Sequence, residues 1–96
     1  MRKKKVEEVG QVTHQVLREL GLETPYNEYR LIESWPEVMG EGIARVTGDM
    51  FIRGRVLYVK INSPALRMDL SLNRVALVHR LNQHVGAQVI EKIVFT

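Results

Sequence analysis

The sequence predicts a small two-layer α+β domain. Its element order is helix, helix, strand, strand, helix, strand, with a three-stranded sheet and the helices packed on one face. Three observations predict it. Apolar residues recur at helical spacing over 5–20 and again from Pro64 to Val85. Two strand-like runs, the second with clear period-2 alternation, flank a turn at Arg53-Gly54. The whole chain is 96 residues, room for one thin hydrophobic core.

The first helix is read over residues 5–20, where Val6, Val9, Thr13, Val16, Leu17 and Leu20 form one stripe. Gly21 is its stop. The second starts at Thr24 as N-cap with Pro25 at the first helical position. It runs through Tyr29, Leu31 and Ile32 toward Trp35, where Pro36 breaks or kinks it. Pro36 to Ala44 reads as a helical turn and connector. A strand over 45–52 follows, then Arg53-Gly54 as a tight turn, then a strand over Val56–Ile61. Asn62-Ser63-Pro64 opens the long helix, with Ser63 as N-cap and Pro64 at the first position. This helix runs to about Val85, and Gly86 ends it. It carries two apolar stripes: Leu66, Leu70, Leu77 and Leu81 on one side, Met68, Leu72, Val75 and Ala76 nearly opposite. Packing on a sheet needs only one. The second stripe must therefore meet other helices of the domain or a partner, a second copy of the chain among the possible partners. A strand over 88–95 closes the domain, with Val89, Ile93 and Phe95 on one face.

The absence of cysteine excludes disulfides, thiolate zinc sites and a cysteine nucleophile. No apolar run approaches the roughly 20 residues of a membrane span. The basic start has no apolar stretch behind it, so it is not a secretory signal. A cytoplasmic location, with no membrane contact, is expected. His79 and His84 are five apart, about 140° round a helix, and do not converge on a metal. Asp69, Ser71 and His79 share a helix but not a direction. Glu7, Glu8, Glu28, Glu33, Glu37 and Glu41 read as solvated helix faces, and no glycine-rich phosphate loop is present. A non-enzymatic protein with no cofactor and no metal is expected.

Charge is blocked rather than mixed. Residues 2–5 carry +4, residues 6–48 carry −5 and residues 49–96 carry +4. Nucleic acid is the ligand this pattern suits. Arg2, Lys3, Lys4 and Lys5 form a mobile basic tail for phosphates, a contact blind to base sequence. Arg53 and Arg55 flank the hairpin turn, and Arg67 and Arg74 lie seven apart on the long helix. Tyr58 faces away from Leu57 and Val59 and is placed to stack a base. The ligand class is single- or double-stranded DNA, or RNA. The competing class is a protein-interaction module with no nucleic-acid role, a homodimer among its forms. Its contact residues would be Trp35, Met68 and Leu72. Trp35 reads in two ways: a core aromatic at the helix–strand joint, or a partner-binding anchor.

Trp35-Pro36-Glu37-Val38-Met39-Gly40 with Ile43-Ala44 resembles the tryptophan-to-glycine signature of the DciA family. Gly54-Arg55-Val56-Leu57-Tyr58-Val59 resembles its second strand, and Ser63-Pro64-Ala65 through Leu70 the start of its helix. Leu81-Asn82 before Gly86, with Val89 and Ile93, resembles its close. The likeness covers about residues 28–95. It implies a KH-like domain spanning residues 1–96, and a bacterial factor that associates with the replicative helicase and assists its loading on DNA. Three departures qualify the likeness. Position 66 is Leu where the family often has a second Trp. The chain closes at Thr96, directly after the last strand, which points to a version without the C-terminal extension of many relatives. No two of the seven glycines are three apart, so the GxxG loop of nucleic-acid-binding KH domains is missing.

Overall fold

The computed structural model describes residues 15–96. The basic tail and most of the first helix lie outside the described residues. Residues 15–19 are helical (α1) and end before Gly21. Then come α2 (Glu23–Glu33), α3 (Trp35–Met39), α4 (Glu41–Arg45), β1 (Thr47–Arg53), β2 (Val56–Ile61), α5 (Pro64–Leu72), α6 (Arg74–Val85) and β3 (Lys92–Phe95). The strands form one mixed sheet in the order β1-β2-β3. β1 and β2 are antiparallel, and β3 returns parallel to β2. This is the α+β architecture expected, consistent with a two-layer KH-like domain.

The inner face of the sheet presents Leu57, Val59, Ile61 and Ile93, all buried. Against it pack Leu31, Trp35, Leu70, Leu77, Leu81 and Val85 from the helices. Trp35 is 1% exposed and tilts against Phe95, ring centroids 6.3 Å apart. Its Nε1 donates to Thr47 Oγ1 at 3.0 Å, and that hydroxyl donates to the Ile43 carbonyl at 2.7 Å. One side chain thus ties α3, β1 and α4 together. Of the two readings of Trp35, the core aromatic holds; a residue this buried offers no contact surface to a partner.

Several element boundaries differ from the sequence reading, each for a local reason. Helix α2 starts at Glu23 on an N-cap Leu22 that makes no side-chain cap. Thr24 and Pro25 become its second and third residues, and the first helical donor is the Tyr26 amide, to the Leu22 carbonyl. Pro25 therefore forfeits no bond, because the first-turn N–H groups have no helical partner anyway. The break before Pro36 falls at Ser34, whose hydroxyl donates to the Leu31 carbonyl at 2.7 Å. The expected connector is two short helices hinged at Gly40, with φ 92° and ψ 163°. That region of backbone space is essentially closed to residues with a Cβ.

The long helix is two helices with an elbow at Asn73 (φ −106°, ψ 14°). The Asn73 amide nitrogen donates to the Asp69 carbonyl at 3.0 Å and satisfies a group the elbow frees. Ser63 and Pro64 cap α5 as expected, the Ser63 hydroxyl accepting from the Leu66 amide. The last strand starts at Lys92, not Gln88. Before it, Val89 and Ile90 are both buried. Consecutive residues of a strand face opposite ways, so both cannot enter one core from a strand. They do so from a loop that Asn82 holds. Asn82 is 6% exposed; its Oδ1 accepts from the Val89 and Ile90 amides, and its Nδ2 donates to the Ile90 carbonyl.

Candidate nucleic-acid interface

Among the described residues, no helix covers the outer face of the sheet. Period-2 alternation, read with the pairing register, arranges it in rows. Phe51, Tyr58 and Val94 lie side by side across the three strands. In the next row toward the hairpin lie Arg53, Val56 and Lys92. Lys60 follows Tyr58 on the other side. Phe51 is 50% exposed, and its ring stacks on Tyr58 with centroids 4.8 Å apart and planes 14° from parallel. This is a favourable offset arrangement for two aromatic rings. Phe51 is left half exposed and Tyr58 partly so, with cations in the rows before and after the pair.

The hairpin turn sets this register. Gly54 (φ 58°) and Arg55 (φ 64°) both take the left-handed region, as a two-residue type I′ turn requires. Arg53 then pairs with Val56, and two residues further Phe51 must oppose Tyr58. Phe51, Lys60 and Lys92 were not singled out by sequence, although counting back from that turn locates Phe51.

The arginines read as phosphate contacts divide. Arg53 is exposed and its side chain makes no hydrogen bond or ion pair among the described residues, and the same holds for the side chains of Lys60 and Lys92. Arg55 instead turns to the loop before β3. Its Nη2 donates to the Gln88 carbonyl at 3.2 Å, its Nε lies 3.3 Å from Glu91 Oε1, and its carbonyl accepts from the Glu91 amide. Arg67 donates from Nη1 to the Ile61 carbonyl at 2.8 Å and reaches Thr96 O at 3.5 Å, pinning the ends of β2 and β3. Arg74 donates to the Ser71 carbonyl across the elbow. It also lines, with Lys92, Val75, Val78, His79 and Ile93, a cavity of about 260 Å³ between α6 and β3. Lys92 and Arg74 thus meet at this cavity, where the acidic Glu91 also lines the wall. Arg2, Lys3, Lys4 and Lys5 lie outside the described residues.

The second apolar stripe is exposed at the helical elbow. Met68 is 68% exposed, Leu72 79% and Val75 71%. His84 pairs with Glu37 at 3.0 Å, on a surface away from the sheet. Among the described residues, no three acidic, histidine or cysteine side chains converge as metal ligands, and no helix is long and apolar enough to cross a membrane.

No curated protein matches the sequence at a significant level. A family model does, the one described as "Dna[CI] antecedent, DciA", over residues 8–95. Membership in that family implies a helicase-associated role in replication. A match running from before the described helices to the last residue of β3, over nearly the full length, means that this chain belongs to the DciA family.

Proposed function

We propose that this chain is a non-enzymatic adaptor of the replicative helicase that holds single-stranded DNA across the open face of its sheet. The observation that carries the reading is the stacked Phe51–Tyr58 pair set between unpaired cations. Aromatic platforms of this kind bind unpaired bases, because every base has a π-face to offer. A duplex keeps its bases stacked on each other and leaves such a platform idle. Arg53, Lys60 and Lys92 hold the phosphates, with the basic tail adding sequence-blind attraction. The exposed elbow of Met68, Leu72 and Val75 meets the helicase. An apolar patch in that position suits a protein surface, and the same patch supports the second reading, a pure protein-interaction module.

The test is fluorescence anisotropy of labelled oligo-dT at two salt concentrations. The duplex and the equivalent RNA serve as competitors. Phe51→Ala/Tyr58→Ala should weaken single-strand binding and leave the salt slope unchanged. Arg53→Ala/Lys60→Ala/Lys92→Ala should weaken binding and flatten the slope. Deleting residues 1–5 isolates the contribution of the tail. Single-strand affinity within twofold of wild type in the aromatic double variant refutes the platform. Absence of any binding at low salt leaves the protein-interaction module as the function.

A further inference from the structure

We propose that β1 pairs with β1 of a second copy of the chain, antiparallel and centred on Phe51, to build one continuous six-stranded sheet. The proposal does not depend on nucleic-acid binding. Among the described residues β1 is an edge strand, joined to the sheet only through β2. In a two-residue hairpin the closing pair exchanges hydrogen bonds, so Arg53 and Phe51 turn their backbone groups toward β2. Met50 and Ile52 then turn their N–H and C=O groups outward. No hydrogen bond of the described chain reaches those groups. An edge in this state is a template for another strand.

The parity of the free groups limits what can pair. Hydrogen-bonded partners must come from Met50 and Ile52 on both copies. Three antiparallel registers meet this condition. Met50 can face Met50, Ile52 can face Ile52, or Met50 can face Ile52. Only the third sets Phe51 opposite Phe51, and only it sets Asp49 of each copy opposite Arg53 of the other. Asp49 and Arg53 are both exposed, and neither has an ion-pair partner within the described chain. The strand is thus self-complementary about a two-fold axis, as an isologous interface requires. Opposite charges directly across a strand pair stabilise it, and like charges destabilise it. The other two registers gain neither pair of charges. The irregularity in β1 lies between Thr47 and Met50, so Met50 to Arg53 is in regular register and Asp49 borders it on the irregular side. Pairing there would extend the aromatic row to Tyr58–Phe51–Phe51–Tyr58 across the dyad.

The chain has no cysteine, so a single introduced one reports cleanly. Directly opposed residues that do not exchange hydrogen bonds have Cα atoms about 4.5 Å apart, within the range a disulfide spans. Under mild oxidation F51C should form a covalent dimer at least tenfold faster than M68C, which is exposed but remote from the edge. Equal rates overturn the proposal. Sedimentation equilibrium without nucleic acid gives the second arm. Wild type should self-associate reversibly. R53D, which sets two aspartates opposite each other twice, should weaken the dimer by roughly ten- to thirtyfold. D49R/R53D should restore it. Circular dichroism checks that each variant is folded. A wild type that stays monomeric at millimolar concentration, or a double variant that fails to recover, overturns the proposal. So does association abolished by M68D/L72D and untouched by R53D, which would place the seam on the helical elbow.

Discussion

Asn82→Leu should remove a large fraction of the domain's folding free energy. Leucine has the branched shape and heavy-atom count of asparagine but no polar group, so the change deletes the hydrogen bonds, and its bulkier methyl groups add an overpacking cost of the same sign. Three backbone groups lose their partner: the Val89 N–H, the Ile90 N–H and the Ile90 C=O. Both residues are buried, Ile90 fully. A buried polar group left unpaired costs about 1–3 kcal/mol. Local opening of the loop to water recovers part of this, so a loss of about 3–5 kcal/mol is expected. At about 0.05–0.15 kcal/mol per residue, a chain of 96 residues has about 5–14 kcal/mol in all. Urea unfolding followed by fluorescence measures the loss, with Trp35 as the sole, buried reporter. Native-state hydrogen exchange adds a local readout, in which the Val89 and Ile90 amides lose their protection. A loss under about 1 kcal/mol would refute the reasoning. It would mean that the loop before β3 satisfies its backbone by another route. Asn82→Asp separates the two halves of the network. It keeps the acceptor for two amides, loses the donor to Ile90 and buries a charge, so both variants should fall below wild type.

Other outcomes follow from the same structure. Gly40→Ala meets open space but must hold φ 92° with ψ 163°, which should cost about 1–3 kcal/mol. Gly54→Ala, in the milder left-handed region, should cost less, and a reversed order in thermal unfolding would count against the hinge argument. Met68→Asp/Leu72→Asp should change stability by no more than about 0.5 kcal/mol per site, since both residues are exposed. The same variant should lose co-sedimentation with the replicative helicase while oligo-dT binding stays intact; retained co-sedimentation removes the elbow from the helicase contact.

What the sequence disclosed and what it hid divide along a physical line. β2 was legible to the residue, because strict alternation sits between two turn signals, Gly54 and Asn62-Ser63-Pro64. The Ser63 cap was legible because capping is local chemistry. The elbow at Asn73 was not, since an asparagine on the polar edge of a helix costs too little to announce a break. The start of β3 had a visible signal that the period reading passed over: Val89-Ile90 breaks alternation. The fates of Arg55 and Arg67 were hidden for another reason. Arg55 bonds the Gln88 carbonyl 33 residues away, and Arg67, besides the nearby Ile61 carbonyl, reaches that of Thr96, 29 residues away. Only the fold brings them within reach. Trp35 had two readings that sequence could not separate, because both place an aromatic at the same helix–strand joint.

The placement of the arginines decides how DNA would be held. Residues 49–96 carry seven basic side chains, and composition alone would let all seven meet phosphates. Four of them already serve internal carbonyls: Arg55, Arg67, Arg74 and Arg80. Arg53, Lys60 and Lys92 are left, all on the open face of the sheet. For a single strand the salt slope is about 0.7 per phosphate neutralised. Seven contacts would give a slope near 5, and three give a slope near 2. Three phosphates supply little affinity at physiological salt. A domain that binds with this few cations must gain the remainder from contacts that salt does not screen. The stacked pair of Phe51 and Tyr58 is positioned to supply that share, since each base stacked on an aromatic ring contributes about 1–3 kcal/mol. A measured slope near 2 for the chain lacking residues 1–5, with affinity dependent on the two rings, agrees with this division. A slope near 5 would mean that the four engaged arginines release their carbonyls on binding, and that charge rather than stacking holds the strand.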